Sequence, residues 1–217
     1  AIAIGTDKAV SPLNTYGATK LLMEKLFVTA NNYTNPNKHR TKFIAFRYGN
    51  VLGSSGSVIP IFVDQIKEKQ KVTITDPEMS RFSITMDEAL DFILNATTYG
   101  HGSEIFVPKM RSYNIMNVVS TLQNLMGDYG QEIIGIRPGE KLHEVLINED
   151  EIRHTWEYNG MYIITNPHYT KFHGKEIQEN YKGITKLSNL DNYSSAFSEK
   201  ISDKMLEQMI KDCSLLD

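Results

Sequence analysis

The sequence predicts an α/β fold built on a parallel sheet, and three observations carry that prediction. The first is a strand–helix–strand run at the start. Ala1 to Ile4 alternates small and β-branched residues. Ala18, Leu21, Leu22, Leu26 and Val28 then recur with a helical period, and Phe43 to Tyr48 returns to strand. Two parallel strands need such a crossover between them, so a βαβ unit implies a parallel sheet. The second observation is that strands and helices go on alternating for most of the chain. The third is an ordinary soluble balance, 41% apolar and 23% charged over 217 residues, enough for one large domain or a domain and a half.

The elements follow in order. Ser11-Pro12-Leu13-Asn14 is a turn, Tyr16 to Ala30 a helix, and the polar stretch Asn31 to Lys38, with Pro36, ends it. After Gly53-Ser54-Ser55-Gly56-Ser57 comes a helix from Ile59 to Lys69, then a strand at Val72 to Thr75. Thr85-Met86-Asp87-Glu88 has the spacing of a capping box and opens a helix to about Thr98. Glu104 to Val107 is a strand, and Asn114 to Met126 a helix closed by Gly127. Glu132 to Ile136 is a strand, and Arg137 to Lys141 a turn into a short helix. Met161 to Thr165 is a last strand. Asn166 to Ser198 is polar and aromatic with little period, and Ser202 to Asp212 is an amphipathic helix.

Composition excludes several functions. A net charge of −3 gives no footprint for nucleic acid or an anionic membrane. No apolar run reaches the ~18 residues of a membrane span, and no signal segment is present. The sequons at Asn32, Asn95 and Asn192 therefore carry no weight. One cysteine, Cys213, rules out a disulfide framework and suits a reducing cytoplasm. His143-Glu144 starts like a zinc-protease motif, but Ile147 stands where the second ligand belongs, so no metal site is expected.

The chemistry concentrates in the first twenty residues. Tyr16 and Lys20 are a helical turn apart and share a face. An ammonium beside a phenol favours the phenolate, which can take a proton from an alcohol while hydride leaves the same carbon. Alone, this spacing also fits a plain surface helix. Thr6, Asp7 and Lys8 strengthen the reading. They follow a strand, and ligands of α/β sheets sit beyond the carboxyl ends of strands. An acid and a base side by side there can serve two proton transfers. Gly53-Ser-Ser-Gly56 lacks the Gly-Lys-Ser/Thr of a phosphate loop and reads as a turn.

These residues carry a resemblance. Thr6-Asp7-Lys8-Ala9-Val10, Pro12, Asn14, Tyr16-Gly17-Ala18 and Lys20 resemble the active-site segment of extended short-chain dehydrogenase/reductases. More narrowly they resemble the UDP-N-acetylglucosamine 4,6-dehydratases of the polysaccharide-biosynthesis group. The similarity continues through Arg47 to Gly53, Gly56 to Pro60, Ile74 to Phe82, Ile105 to Lys109 and Arg137 to Glu144, roughly residues 1–150. It implies the C-terminal part of a Rossmann-type doubly wound parallel sheet plus a smaller α/β substrate-binding domain. Residues 1–57 would belong to the NADP-binding domain. Residues 58–165 would bind nucleotide sugar, with 85–110 returning to the Rossmann sheet, and 166–217 would form a C-terminal extension.

The resemblance also implies a reaction. Tyr16 takes the O4 proton as hydride leaves C4 for NADP, or NAD. Lys20, with Thr6, positions the nicotinamide ribose. Asp7 is the candidate acid for the C6 hydroxyl and Lys8 the candidate C5 base, which must be neutral to act. Related nucleotide-glucose dehydratases carry Glu where Lys8 stands, so Lys8 points to an N-acetylglucosamine substrate. Relatives with Met at the Tyr16 position include several that retain C5 configuration, so Tyr16 favours inversion. Asn50, Gly53 and Val58 are expected near the sugar and diphosphate, Thr75 near the uracil, and Arg81, Arg137 and Glu140 on the nucleotide. A 4-epimerase needs only Tyr16 and Lys20 and leaves Asp7 and Lys8 without a role. A non-catalytic binding module remains a third possibility. The glycine-rich dinucleotide turn occurs nowhere in the sequence. The expectation is therefore a piece of a longer homo-oligomeric protein, inactive alone, with one side of its parallel sheet unpaired.

Overall fold

The computed structural model describes residues 1–35, 38–54, 56–213 and 216. Pro36 and Ser55, both part of the expectations above, lie outside them. In chain order the first elements are β1 (Ile2–Ile4), α1 (Thr15–Ala30), β2 (Ile44–Phe46), β3 (Asn50–Val51), α2 (Val58–Lys67), β4 (Val72–Ile74) and β5 (Ser80–Ile84). Next come α3 (Met86–Tyr99), β6 (Ile105–Pro108), β7 (Arg111–Asn114), α4 (Ile115–Met126), β8 (Gln131–Ile133), β9 (Val145–Ile147) and α5 (Glu149–Ile152). The chain ends with β10 (Thr155–Tyr158), β11 (Met161–Ile164), α6 (Tyr169–His173), α7 (Ile177–Asn180), β12 (Thr185–Lys186), β13 (Tyr193–Ser194) and α8 (Asp203–Asp212). They form two compact units. One comprises Ala1–Tyr48, Leu90–Lys109 and Val145–Tyr193, the other Gly49–Ala89, Met110–Glu144 and Ser194–Asp217.

The first unit holds a six-stranded sheet in the order β1-β2-β6-β11-β10-β12. β1, β2 and β6 are parallel, with Ile4 opposite Phe46 and Phe46 opposite Phe106. These three strands are the parallel sheet expected, and the remaining strands extend it antiparallel. The cause is local. β10 and β11 are joined by Asn159-Gly160, both at positive φ (45° and 75°), and such a two-residue turn makes antiparallel neighbours. β1 lies at the sheet edge, with Ile2 and Ile4 partly exposed. Ile44, Phe46, Phe92, Ala96, Phe106, Ile163 and Tyr181 form the core.

The second unit holds a three-stranded sheet, β3-β5-β7, and a parallel pair, β4-β8. α2, α4 and α8 bury Phe62, Ile66, Val118, Leu122, Leu206 and Ile210 in one core. Two helices, α4 and α3, start where side chains dictate. Asn114 caps α4 by accepting the Met116 N–H at 2.8 Å, and Gly127 at φ 110° ends it. Thr85 and Glu88 form the expected capping box of α3, with the Thr85 N–H donating to Glu88 at 2.9 Å.

Some expectations fail for identifiable reasons. β8 stops at Ile133 because Gly135 turns the chain at φ 83°. No helix follows Arg137, because Gly139 sits at φ 83° and the Glu140 N–H closes a turn on the Arg137 carbonyl. Residues from Val145 to Tyr193 go with the first unit, since β10, β11 and β12 hydrogen-bond into its sheet, and Ser194 onward goes with the second.

Candidate active site

Thr6, Asp7 and Lys8 leave the carboxyl end of β1 as the start of a single 3-10 turn, Asp7–Ala9. Thr6 caps it, its hydroxyl accepting the Lys8 N–H at 3.4 Å and donating to Asp7 Oδ1 at 2.7 Å. The Asp7 N–H is anchored on the Tyr48 carbonyl at 3.2 Å. The Asp7 side chain is fully buried, and its Oδ1 also holds the Lys8 ammonium at 3.1 Å. Its Oδ2 is enclosed without a hydrogen-bond partner among the described residues. A buried carboxylate oxygen left this way costs stability, and such atoms in native proteins call for a reason. Lys8 is 39% exposed, so one end of the pair meets water.

Tyr16 and Lys20 stand on the first turns of α1, whose start is set by Asn14 accepting the Gly17 N–H at 2.8 Å. The Lys20 ammonium lies 5.9 Å from the centre of the Tyr16 ring and donates to the Ile4 carbonyl at 3.4 Å. It thus links α1 to the last residue of β1. Tyr16 is 53% exposed, open to a ligand.

Gly17, which sequence reasoning treated only as part of a motif, decides how closely these two groups approach. A Cβ there would lie 2.4 Å from the Lys8 carbonyl oxygen and 2.8 Å from Pro12 Cβ. Only glycine lets the start of α1 rest on the Asp7–Lys8 turn. Gly17→Ala gains helix propensity, worth about 1 kcal/mol. It must also push backbone from backbone, which costs roughly 1–3 kcal/mol or more in a packed site. The expected net result is a lower midpoint in thermal unfolding. A midpoint equal to or above the parent's would show that the contact is not tight.

Beneath the turn lies a buried ion triad that sequence reasoning missed. Arg47 and Glu24 are both fully buried. Arg47 donates Nε to Glu24 at 2.9 Å and Nη2 to Glu24 at 2.5 Å. It donates Nη1 and Nη2 to Glu151 at 2.8 and 3.0 Å, and Nη1 to the Leu146 carbonyl at 2.8 Å. All five N–H groups are used. Burial pulls the guanidinium toward neutrality, but the two carboxylates outweigh it and hold Arg47 firmly charged. For Glu151, burial pushes upward and Arg47 pulls further down, leaving it below the usual carboxylate range.

The other predicted residues fall in the second unit. Asn50 pairs with Ser83 across β3 and β5, and its Oδ1 is enclosed without a partner among the described residues. Gly53 makes the turn after β3 at φ 71°, and Val58 opens α2, half-buried. Toward the other end of β5, Thr75 Oγ1 and Arg81 Nη2 both reach Met79 Sδ, at 3.2 and 2.8 Å. Arg81 also donates to the Ser80 and Leu142 carbonyls at 2.8 and 3.2 Å. Ser80 and His143 bridge in parallel, which brings the Arg137–Glu140 turn alongside. Arg137 is 60% exposed and lies 3.8 Å from Glu140. Thr75, Arg81, Arg137 and Glu140 therefore gather around one end of β5, and Asn50 and Gly53 around the other. Among the described residues no cluster of metal-ligating side chains occurs, and no helix is long and apolar enough to cross a membrane.

The donor set of Thr6, Tyr16 and Lys20, a hydroxyl, a phenol and an ammonium at a strand's carboxyl end, fits the ribose of a nicotinamide dinucleotide. Comparison with known proteins places the chain in a family. The profile of the polysaccharide biosynthesis protein family matches residues 1–166. The chain belongs to that family. A Campylobacter jejuni UDP-N-acetylglucosamine 4,6-dehydratase (inverting) is 46% identical over 165 residues, 76% of this chain and 48% of the relative. A Rickettsia bellii UDP-glucose 4-epimerase is 34% identical over 210 residues, 96% of this chain and 60% of the relative. Among solved structures, Pen from Bacillus thuringiensis superposes with a TM-score of 0.82 at 33% identity, covering 100% of this chain and 62% of that one. The fold is thus the Rossmann-type fold of extended short-chain dehydrogenase/reductases. The stretch after Asn166, unassigned from sequence, is covered by the superposition on Pen. The chain spans about half to three fifths of the length of these relatives.

Proposed function

We propose that this chain carries the proton-transfer groups and the nucleotide-sugar side of a UDP-N-acetylglucosamine 4,6-dehydratase that inverts C5. The observation that carries the reading is the buried Asp7, paired with Lys8 at 3.1 Å and followed by Tyr16 and Lys20 on α1. A 4-epimerase has no use for that pair. The Campylobacter relative supports the same reading. When bound, NADP or NAD supplies the acceptor for hydride from C4 and its donor to C6, and Thr6, Tyr16 and Lys20 would hold its ribose.

The chain's own groups then divide the work. Tyr16 takes the O4 proton, with Lys20 stabilising the phenolate. The resulting C4 ketone acidifies C5–H. Passing one proton across the 3.1 Å between Lys8 and Asp7 turns an ion pair into a neutral amine and a carboxylic acid. The elimination requires those two forms. Lys8 takes the C5 proton, Asp7 gives its proton to O6, the C6–O bond breaks and water leaves. The pair ends as it began, ammonium and carboxylate, with no net charge moved. Inversion follows when, with hydride back on C6, a proton from solvent is delivered to the opposite face of C5, balanced by release of the one Tyr16 took from O4.

On the nucleotide side, Arg137 has exposed donors for the diphosphate, and Glu140 can accept from ribose hydroxyls. Arg81, which donates to carbonyls and a sulfur and lies 3.8 Å from the Glu144 carboxylate, must turn to join them. Asn50, Gly53 and Val58 would lie near the sugar and Thr75 near the base. The setting is cytoplasmic glycan or flagellin-sugar synthesis by a homo-oligomer.

The test joins this chain to the part of the Campylobacter relative that the match leaves out. The fusion is incubated with NADP⁺ and UDP-N-acetylglucosamine in deuterated water. The expected product is one water lighter than the substrate, ketonic at C4, deuterated at C5 and inverted there. A product deuterated but uninverted would make the enzyme a retaining dehydratase. A C4 epimer of unchanged mass would favour the second reading, a 4-epimerase, which the Rickettsia relative supports across 96% of the chain.

A further inference from the structure

The buried triad does more than neutralise charge. Tyr16, Lys20 and Glu24 recur every four residues along α1, so they form one stripe that runs from the exposed start of the helix to its buried middle. Fixing Glu24 fixes the rotation of α1, and with it the directions of Tyr16 and Lys20. Glu24 also lies under the exit of β1. A Cβ on Gly5 would stand 3.5 Å from Glu24 Oε2 and 2.7 Å from the Phe46 carbonyl oxygen. The chain therefore passes over the Glu24–Arg47 pair one residue before Thr6-Asp7-Lys8. Arg47 itself lies between Phe46 and Tyr48, whose carbonyls take the N–H groups of Gly5 at 2.6 Å and Asp7 at 3.2 Å. One cation thus touches the helix bearing Tyr16 and Lys20 and sits on the segment after β2 that anchors the Asp7–Lys8 turn.

We propose that Arg47, acting through Glu24, is the positioning residue that locks α1 and the Asp7–Lys8 turn into one fixed geometry. The dehydratase reading gives that geometry its use, so the inference rests on it for its functional part. Buried ion pairs contribute little net stability, since desolvation offsets attraction, and their best-attested use is to fix register. A guanidinium with five matched acceptors has one geometry that satisfies it, whereas apolar packing of the same volume would tolerate several. Glu151 binds the same cation from α5 and has a separate task. It closes a capping box with Asn148 and does not lie on α1.

This asymmetry supplies the test. Amide hydrogen exchange is measured on the full chain for Glu24→Gln and Glu151→Gln. Glu24→Gln is expected to speed exchange at the Gly5 and Asp7 amides and in the first turns of α1 at least tenfold. The β6–β11 amides should hold. Glu151→Gln is expected to speed exchange around α5 instead. Glu24→Asp keeps the charge on a shorter arm and gives the same pattern if Glu24→Gln does not fold. In the fusion protein, Glu24→Asp should lower kcat and leave KM for UDP-N-acetylglucosamine unchanged. Faster exchange spread evenly over the unit, or the same amides responding to both glutamates, would overturn the proposal. An active fusion with unaltered kcat in Glu24→Asp would do so too. If the unsubstituted fusion makes no product, the dehydratase reading fails, and the exchange pattern still decides whether Arg47 positions the turn.

Discussion

Replacing Lys8 with methionine is expected to stop elimination while leaving oxidation at C4 in place. Methionine keeps most of the length and the apolar stem of lysine but has no nitrogen to take the C5 proton. Tyr16 and Lys20, on α1, keep their contact with each other and with the Ile4 carbonyl. General acid–base groups contribute about 10²–10⁴-fold, and the 4-keto-6-deoxy product should fall by that factor. Two further readouts separate the steps in the fusion protein. Deuterium uptake at C5 should disappear, and a 4-ketone still carrying its C6 hydroxyl should be trapped by borodeuteride as label at C4. Tyr16→Phe should lose both product and trapped ketone, because the O4 proton has no acceptor. Product near the parental level in Lys8→Met would remove Lys8 from the mechanism and assign the C5 proton to another group.

A second large effect concerns stability. Glu104 is fully buried on the loop before β6. It accepts from the His101 and Gly102 amides at 3.1 and 2.6 Å, and it shares a 2.9 Å hydrogen bond with Tyr181. Burial pushes its carboxyl up to about 7 from an ordinary 4.5, the hydrogen bonds offsetting only part of the shift. Because the folded value lies above the unfolded one, the folded chain holds an extra proton between those two values. Its stabilising contribution is therefore complete below about 4.5 and is lost as pH rises through about 7, roughly 3 kcal/mol in all.

Histidines nearby act in the opposite direction. His101 and His173 are held below the ordinary histidine value, chiefly by burial, so their stabilisation is lost as pH falls through that range. The Glu104 contribution is isolated by difference. Urea midpoints of the parent and Glu104→Gln are compared at both ends of the window. The parent's advantage should shrink as pH rises, by about the amount above. A difference that does not change with pH would show that Glu104 titrates normally.

Much of the secondary structure was legible because its signals are local. Asn14, Asn114 and Ser202 cap α1, α4 and α8 as side-chain acceptors, and Gly127 ends α4. The β10–β11 hairpin was equally local and was missed, although Asn159-Gly160 is a strong hairpin signal. β5 and β7 were not legible. Ser80, Ser83 and Ser112 are buried polar residues within them, so the strands do not alternate apolar with polar. The partners of Arg81, expected on the nucleotide, cannot be read from its neighbours in sequence. Its acceptors include the Leu142 carbonyl, 61 positions away.

The sequence by itself determined the α/β class, the family, and the grouping of Thr6, Asp7, Lys8, Tyr16 and Lys20. The class rests on the alternation of local periods along the chain, the family on a resemblance over roughly residues 1–150, and the grouping on spacing within a few residues, where helical period and caps act directly. The tertiary structure alone decided that Asp7 is buried, that Gly17 sets the separation of α1 from the turn, and that Arg47 joins Glu24 and Glu151. Arg47 meets those carboxylates across 23 and 104 positions of chain. Charge pairing in a low-dielectric core depends on distance and desolvation, which come into existence only when distant segments pack.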